Sequence, residues 1–147
     1  MLQENTTYTS CLSKQNSLIE TFTDCRTNES KYQKIISFGR LLPEAPDSIK
    51  IPENLVSGCQ STLYLASGLE NGKVIFQIHS DALIASGLAA LLLYTYNGEP
   101  PEVVLGCEPQ FIQKIGLHES LTPGRSNGLL SLRLKMKQEV IKFLVRR

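Results

Sequence analysis

From Asn16 onward the apolar positions change period several times, and each change marks a different element. Leu18, Ile19 and Phe22 share one helical face. Tyr32, Ile35, Ile36 and Gly39 repeat that spacing after a polar break at Thr27-Asn28-Glu29-Ser30, which predicts two short helices. Pro43, Pro46 and Pro52 exclude helix over residues 42–54, because each ring fixes φ and removes a donor. Residues 61–66 and 74–79 are rich in Val, Ile, Leu, Tyr and Phe, and Asn71-Gly72 between them suits a tight reversal, which predicts an antiparallel hairpin. Leu63 and Leu65 then share one face, as do Val74, Phe76 and Ile78 on the second strand. A two-stranded ribbon is marginal in water, so helices must cover it or another strand must join it.

Residues 82–96 form the longest apolar stretch, 15 residues interrupted by Ser86-Gly87. That is short of a membrane span, so a buried helix is expected, capped by Ser80, with Asp81 at the positive end of its dipole and a stop at Asn97-Gly98. Residues 102–105 and 109–115 read as short helical pieces. Thr122-Pro123 opens a last helix whose Leu129, Leu132, Met136, Val140 and Phe143 face the core, with its basic residues mostly outside. The order of elements gives an α+β fold with a small antiparallel sheet packed by helices. Residues 1–15 are expected to be a loose leading segment and residues 16–147 a single domain.

Composition narrows the function classes. The 147 residues are 41% apolar and 20% charged, which argues against disorder. Fifteen basic against 14 acidic residues leave +1, so no overall field draws the chain to nucleic acid or membrane. The balance is uneven: residues 126–147 carry Arg133, Lys135, Lys137, Lys142, Arg146 and Arg147 against Glu139 alone, a net +5 that leaves −4 on residues 1–125. Cations near a helix C-terminus suit its dipole, so no nucleic-acid or membrane partner follows from them. The start of the chain lacks a basic stretch followed by an apolar one, so no secretory leader is readable and the cytoplasm is the expected location. In a reducing compartment Cys11, Cys25, Cys59 and Cys107 are not expected to pair, and without a C-x-x-C spacing, and with only His79 and His118, no metal site is indicated.

Cys59 has the setting most open to chemistry. It follows Gly58 at the exit of a proline-containing loop, just before a strand, where a thiol can meet another molecule's reacting atom. Position alone is equally compatible with a buried, inert thiol, since reactivity needs a lowered pKa. Cys11, Cys25 and Cys107 have no comparable setting. Gly124 and Gly128, four apart at the start of the last helix, would permit close approach by the Cys59 loop.

Asn54-Leu55-Val56-Ser57-Gly58-Cys59-Gln60-Ser61-Thr62-Leu63-Tyr64 resembles the active-cysteine segment of the SufE family of sulfur-acceptor proteins. Two later segments agree: Ser80-Asp81-Ala82 with the helix behind it, and Leu121-Thr122-Pro123-Gly124-Arg125-Ser126-Asn127-Gly128-Leu129. Tyr32 to Pro43 fits the family's upstream helix and L-P turn, so the likeness spans residues 17–140. The resemblance implies a SufE/IscU-like fold and a role beside a cysteine desulfurase. Cys59 would take sulfane sulfur as a persulfide and relay it to an iron–sulfur scaffold complex; a loop that tucks Cys59 against the core and swings out would suit that role, and Gly58 and the Pro52 anchor are compatible with the motion. It implies a site role for Arg125, as a fixed positive charge for the thiolate or persulfide, and a secondary interface role for Asp81. No cofactor would be held, because pyridoxal phosphate belongs to the SufS-like desulfurase. The chain would be a sulfur-transfer partner, not a stand-alone enzyme. His79 and Tyr64 stand where relatives often have an acidic or small residue and a tryptophan. Two other classes stay open: a cysteine-nucleophile hydrolase or transferase acting on a small molecule, which needs a base near Cys59, and a metal or cluster scaffold, which needs converging ligands.

Overall fold

The computed structural model describes residues 7–145. The elements in chain order are α1 (Thr9–Phe22), α2 (Asn28–Gly39), β1 (Leu63–Glu70), β2 (Lys73–Ser80), α3 (Leu83–Tyr96), α4 (Pro101–Gly106), α5 (Phe111–Ile115), α6 (Leu117–Ser120) and α7 (Pro123–Val145). This is the expected α+β arrangement, one antiparallel hairpin wrapped by helices.

Asn71 (φ 51°) and Gly72 (φ 79°) make the reversal, and their tight turn fixes the register from Glu70 opposite Lys73 to Leu63 opposite Ser80. The strands therefore run right up to the turn, through residues 67–70 that the sequence assigns to a loop. Leu63, Leu65, Val74, Phe76 and Ile78 are all buried on one face, where α3 packs on β2 and α7 on β1. They join Leu18, Ile35, Leu91, Leu132 and Met136 in one contiguous core. The sheet's outer edges are partly occupied: Leu55 bridges Tyr64, while Val74 exchanges backbone bonds with Gly98 and Glu99, and Asn97 Oδ1 accepts from Phe76 N at 2.7 Å.

Three expectations need correction, and one holds with an exception. The leading segment is not loose over residues 9–15, because α1 begins at Thr9 and buries Cys11 and Gln15. Gln15 ties α1 down, donating to Glu108 O (2.9 Å) and accepting from Phe111 N (3.1 Å), while Ser10 and Lys14 hold the buried Glu99 at 2.8 and 2.6 Å. Residues 1–6 lie outside the described part of the chain. The connector does contain helical turns, single 3-10 turns at Asp47–Ile49 and Pro52–Asn54, since proline bars the interior of an α-helix but not the position before a turn, where Pro46 stands, or its first position, where Pro52 stands. Among the described cations of α7, Arg133 is the buried exception: it is 5% exposed, its guanidinium 4.2 Å above the Tyr96 ring and its Nη2 donating to Cys107 O at 3.1 Å. Its Nε and Nη1 have no partner among the described residues. Neither Ser80 nor Asp81 caps α3. The helix starts at Leu83 behind Ala82 with no side-chain cap, and the Ser80 hydroxyl accepts from Ala82 N, before the helix, at 3.3 Å.

Two crossings position the functional end of the fold. α2 meets α3 where Gly39 and Gly87 face each other, and a methyl on Gly39 would lie 2.8 Å from the Gly87 nitrogen. The absent side chains let the helices touch backbone to backbone, which brings Ile36 beside the start of α3. Thr122 and Pro123 begin α7 as expected, with Thr122 Oγ1 accepting from Arg125 N at 3.4 Å. Leu129, Leu132, Met136 and Val140 are buried along it and Phe143 is half-buried against the same core. No described helix is long and apolar enough to cross a membrane.

Candidate functional site

Residues 55–62 bridge the second 3-10 turn and β1, and they are pinned at both ends. Val56 N donates to Leu63 O (2.9 Å), and Lys135 Nζ reaches Glu53 O at 3.0 Å. Between the pins the chain lies across α7. Gly58 has φ 85°, a left-handed conformation natural to glycine, and a methyl there would land 2.5 Å from Ser131 Oγ. Cys59 rests on Gly128, where a methyl would sit 3.5 Å from its Sγ, and the Gln60 amide covers Gly124, where a methyl would meet Oε1 at 2.5 Å. Three consecutive loop residues thus sit on three successive turns of one helix, and the expected close approach at Gly124 and Gly128 is what the fold contains.

The Cys59 thiol is half-buried and donates to Gly128 O at 3.7 Å. Burial pushes its pKa above the ordinary thiol value, because the charged form loses solvation and no cation among the described residues offsets the loss. At rest the sulfur is a protonated thiol. It borders a pocket of about 320 Å³ whose walls are mainly apolar, with Ile36 from α2, Leu83, Ile84 and Leu88 from α3, and Leu129 and Leu132 from α7.

Arg125 lines the same pocket and is exposed, so the fold does bring it to the thiol's cavity. Asp81 is exposed and paired with His79 at 3.2 Å, and it does not line the pocket. Tyr64 and His79 are cross-strand neighbours with their rings tilted by 36°, centroids 6.4 Å apart. His118 hydrogen-bonds Ser126 Oγ at 2.7 Å. Neither histidine borders the Cys59 cavity.

Cys11 and Cys107 are buried, Cys25 is half-buried, and all four thiols are free. Burial and the neighbouring Cys107 push the Cys11 pKa up to about 12, as befits an inert packing thiol. Sequence reasoning missed Gln60, Ser131 and the α2–α3 wall of the pocket. The glycines opposite Gln60 and the thiol were a legible sign of close packing, whereas the apolar wall is assembled only by tertiary approach.

Comparison with known proteins places this geometry among relatives. A family model described as SufE, Fe-S metabolism associated domain, matches residues 16–140. An uncharacterised SufE-like protein of Synechocystis is 36% identical over 126 residues, 86% of this chain and 79% of that one. An uncharacterised SufE-like protein of Rhizobium etli is 37% identical over 116 residues, 76% and 78% of the two chains. SufE-like protein 1, chloroplastic/mitochondrial, of Arabidopsis thaliana is 32% identical over 127 residues, and the match spans 34% of that longer protein. A solution structure of a hypothetical protein from Thermus thermophilus is similar with a TM-score of 0.75 at 29% identity, covering 90% of this chain and 96% of that one.

Proposed function

This chain belongs to the SufE family, with its association to iron–sulfur metabolism, and from that premise we propose that Cys59 is a sulfur carrier serving a cysteine desulfurase. The observation that carries the proposal is a half-buried thiol on a loop bent at Gly58, at the mouth of a mainly apolar pocket.

The transfer is a displacement at sulfur. The Cys59 thiolate attacks the outer sulfur of the desulfurase's cysteine persulfide, the donor's S–S bond breaks, and the donor cysteine leaves as a thiolate. Cys59 then carries the persulfide, and a scaffold thiolate removes the outer sulfur by the same step. No electrons are gained or lost overall. A hydroxyl could not substitute for the thiol at Cys59.

The resting thiol is protonated and withdrawn, which suits a carrier that must not react with stray oxidants or small thiols. Productive attack requires the loop to leave α7, and Arg125 at the rim supplies a fixed positive charge for the thiolate once it does. Asp81, exposed beside the entrance of α3, serves the partner interface in this reading. The pyridoxal phosphate of a SufS-like desulfurase cleaves the C–S bond of free cysteine, and this chain supplies only the acceptor. A hydrolase or transferase would need a base at the nucleophile, and His79 and His118 are both engaged elsewhere.

The test mixes the protein with a cysteine desulfurase and free cysteine and locates added sulfur by peptide mass spectrometry without reductant. Added mass is expected on the peptide containing Cys59. Cys59→Ser should abolish stimulation of alanine release with the fold intact, and full stimulation by that variant would reject the carrier mechanism. Hydrogen exchange over residues 54–61 should change when the desulfurase is added.

A further inference from the structure

The loop's resting place is decided beneath the sulfur atom. Gly128 is the α7 residue whose carbonyl accepts from the Cys59 thiol at 3.7 Å. A methyl on it would lie 3.5 Å from Sγ, 3.6 Å from Cα and 3.9 Å from Cβ of Cys59, ordinary contact distances with no slack beyond them. One carbon therefore fits under the loop. A carbon one bond further out on the loop's side, about 1.5 Å beyond Cβ, does not fit unless the loop rises. The neighbouring contacts leave little room to slide, because Gly58 already abuts Ser131 on one side and Gln60 abuts Gly124 on the other.

We infer that Gly128 is the positioning residue that sets how far the Cys59 sulfur is withdrawn, and so how well a loaded persulfide is shielded; the inference rests on the carrier reading above. A bulkier side chain at this position lifts the loop and presents the sulfur without any partner. Such a variant accepts sulfur readily and also loses it readily. A foreign thiolate attacks the outer sulfur, the S–S bond breaks, Cys59 leaves as thiolate, and the foreign thiol carries the persulfide away.

Two measurements on the full chain test this without a desulfurase. The first follows alkylation of Cys59 by iodoacetamide, read on its own peptide by mass spectrometry, with the fold of each variant verified by urea unfolding. Gly128→Val should react about tenfold faster than the natural chain or more, the scale on which overpacking shifts a local equilibrium, and Gly128→Ala should stay within about twofold. A folded Gly128→Val that reacts at the natural rate overturns the inference, as does Gly128→Ala reacting as fast as Gly128→Val.

The second uses Gly128→Cys, whose added Cβ would sit 3.9 Å from that of Cys59, within the usual disulfide range of about 3.5–4.5 Å. Oxidised glutathione should convert the two thiols to an intramolecular disulfide, releasing two reduced glutathiones. Formation of mixed glutathione disulfides alone overturns the resting contact, and this variant decides the matter if Gly128→Val does not fold. Failure here, with Cys59→Ser still losing stimulation, removes the role of Gly128 and leaves the carrier. Success here with a fully active Cys59→Ser removes the carrier and leaves the packing.

Discussion

Gly58→Ala perturbs the loop one residue before the thiol and from a different direction. With φ at 85°, an alanine pays roughly 1–2 kcal/mol for the left-handed conformation that glycine adopts freely. Its methyl also lands 2.5 Å from Ser131 Oγ, about 1 Å inside ordinary contact, so either the serine hydroxyl turns aside or the loop lifts. A loop that leaves α7 relieves both strains at once. A cost of about 1–2 kcal/mol placed on the resting state moves the equilibrium toward the lifted state by a factor of roughly 5–30. The rate of Cys59 alkylation by iodoacetamide should rise by at least that factor, and because the strain falls on the dominant native state, the urea midpoint should drop by the matching amount with its m-value unchanged. Adding Ser131→Ala removes the oxygen and should return the steric share of the increase, leaving the backbone share. The reasoning fails if Gly58→Ala alkylates at the natural rate. If the double variant reacts as fast as the single one, the hydroxyl has turned aside and the backbone alone drives the loop up.

Three other outcomes are expected. Gln15→Leu keeps the volume but strands Glu108 O and Phe111 N, two backbone groups at about 1–3 kcal/mol each, so urea unfolding should show a loss of roughly 2–6 kcal/mol, and a loss below about 1 kcal/mol would mean that α1 is not docked as described. The raised thiol pKa values make stability alkali-sensitive: the native state keeps the Cys11 proton that the unfolded chain releases near 9, so the contribution is whole below that pH and lost as pH climbs toward about 12. The slope is about 1.4 kcal/mol per pH unit for this buried thiol, with Cys59 and Tyr96 acting in the same direction, and a rise in unfolding free energy from pH 8 to pH 10 would contradict it. Arg125→Ala should slow sulfur acceptance by Cys59 severalfold with an unchanged unfolding midpoint, Arg125→Lys should restore part of it, and an unaffected rate would assign the arginine to the surface alone.

The features that the sequence made legible are those decided within a few residues. Asn71-Gly72 can hardly do other than reverse the chain, Thr122-Pro123 starts a helix by its own chemistry, and Gly58-Cys59 marks a sharp bend. The misses are long-range. Thr9-Ser10-Cys11 looks polar, and nothing local reveals that Gln15 finds partners more than 90 positions away. Arg133 reads as a surface cation until Tyr96 is known to lie beneath it. Asp81 has the chemistry of a cap but stands two residues before its helix and turns to His79. In the site, the thiol, its hinge and the glycines of α7 could be found from spacing. The apolar wall opposite could not, because it depends on the backbone contact of Gly39 with Gly87.

The perch that holds Cys59 is built from a carbonyl oxygen, two glycines and a serine hydroxyl. None of these gains or loses a proton between about pH 5 and 8, the range in which a histidine-based latch would trip. Acidification of the surroundings therefore gives no handle on it. In the carrier reading, what frees the sulfur therefore does so by touch, wedging between strap and helix at the moment it arrives, so that timing is dictated by who binds and not by the solution in which they meet.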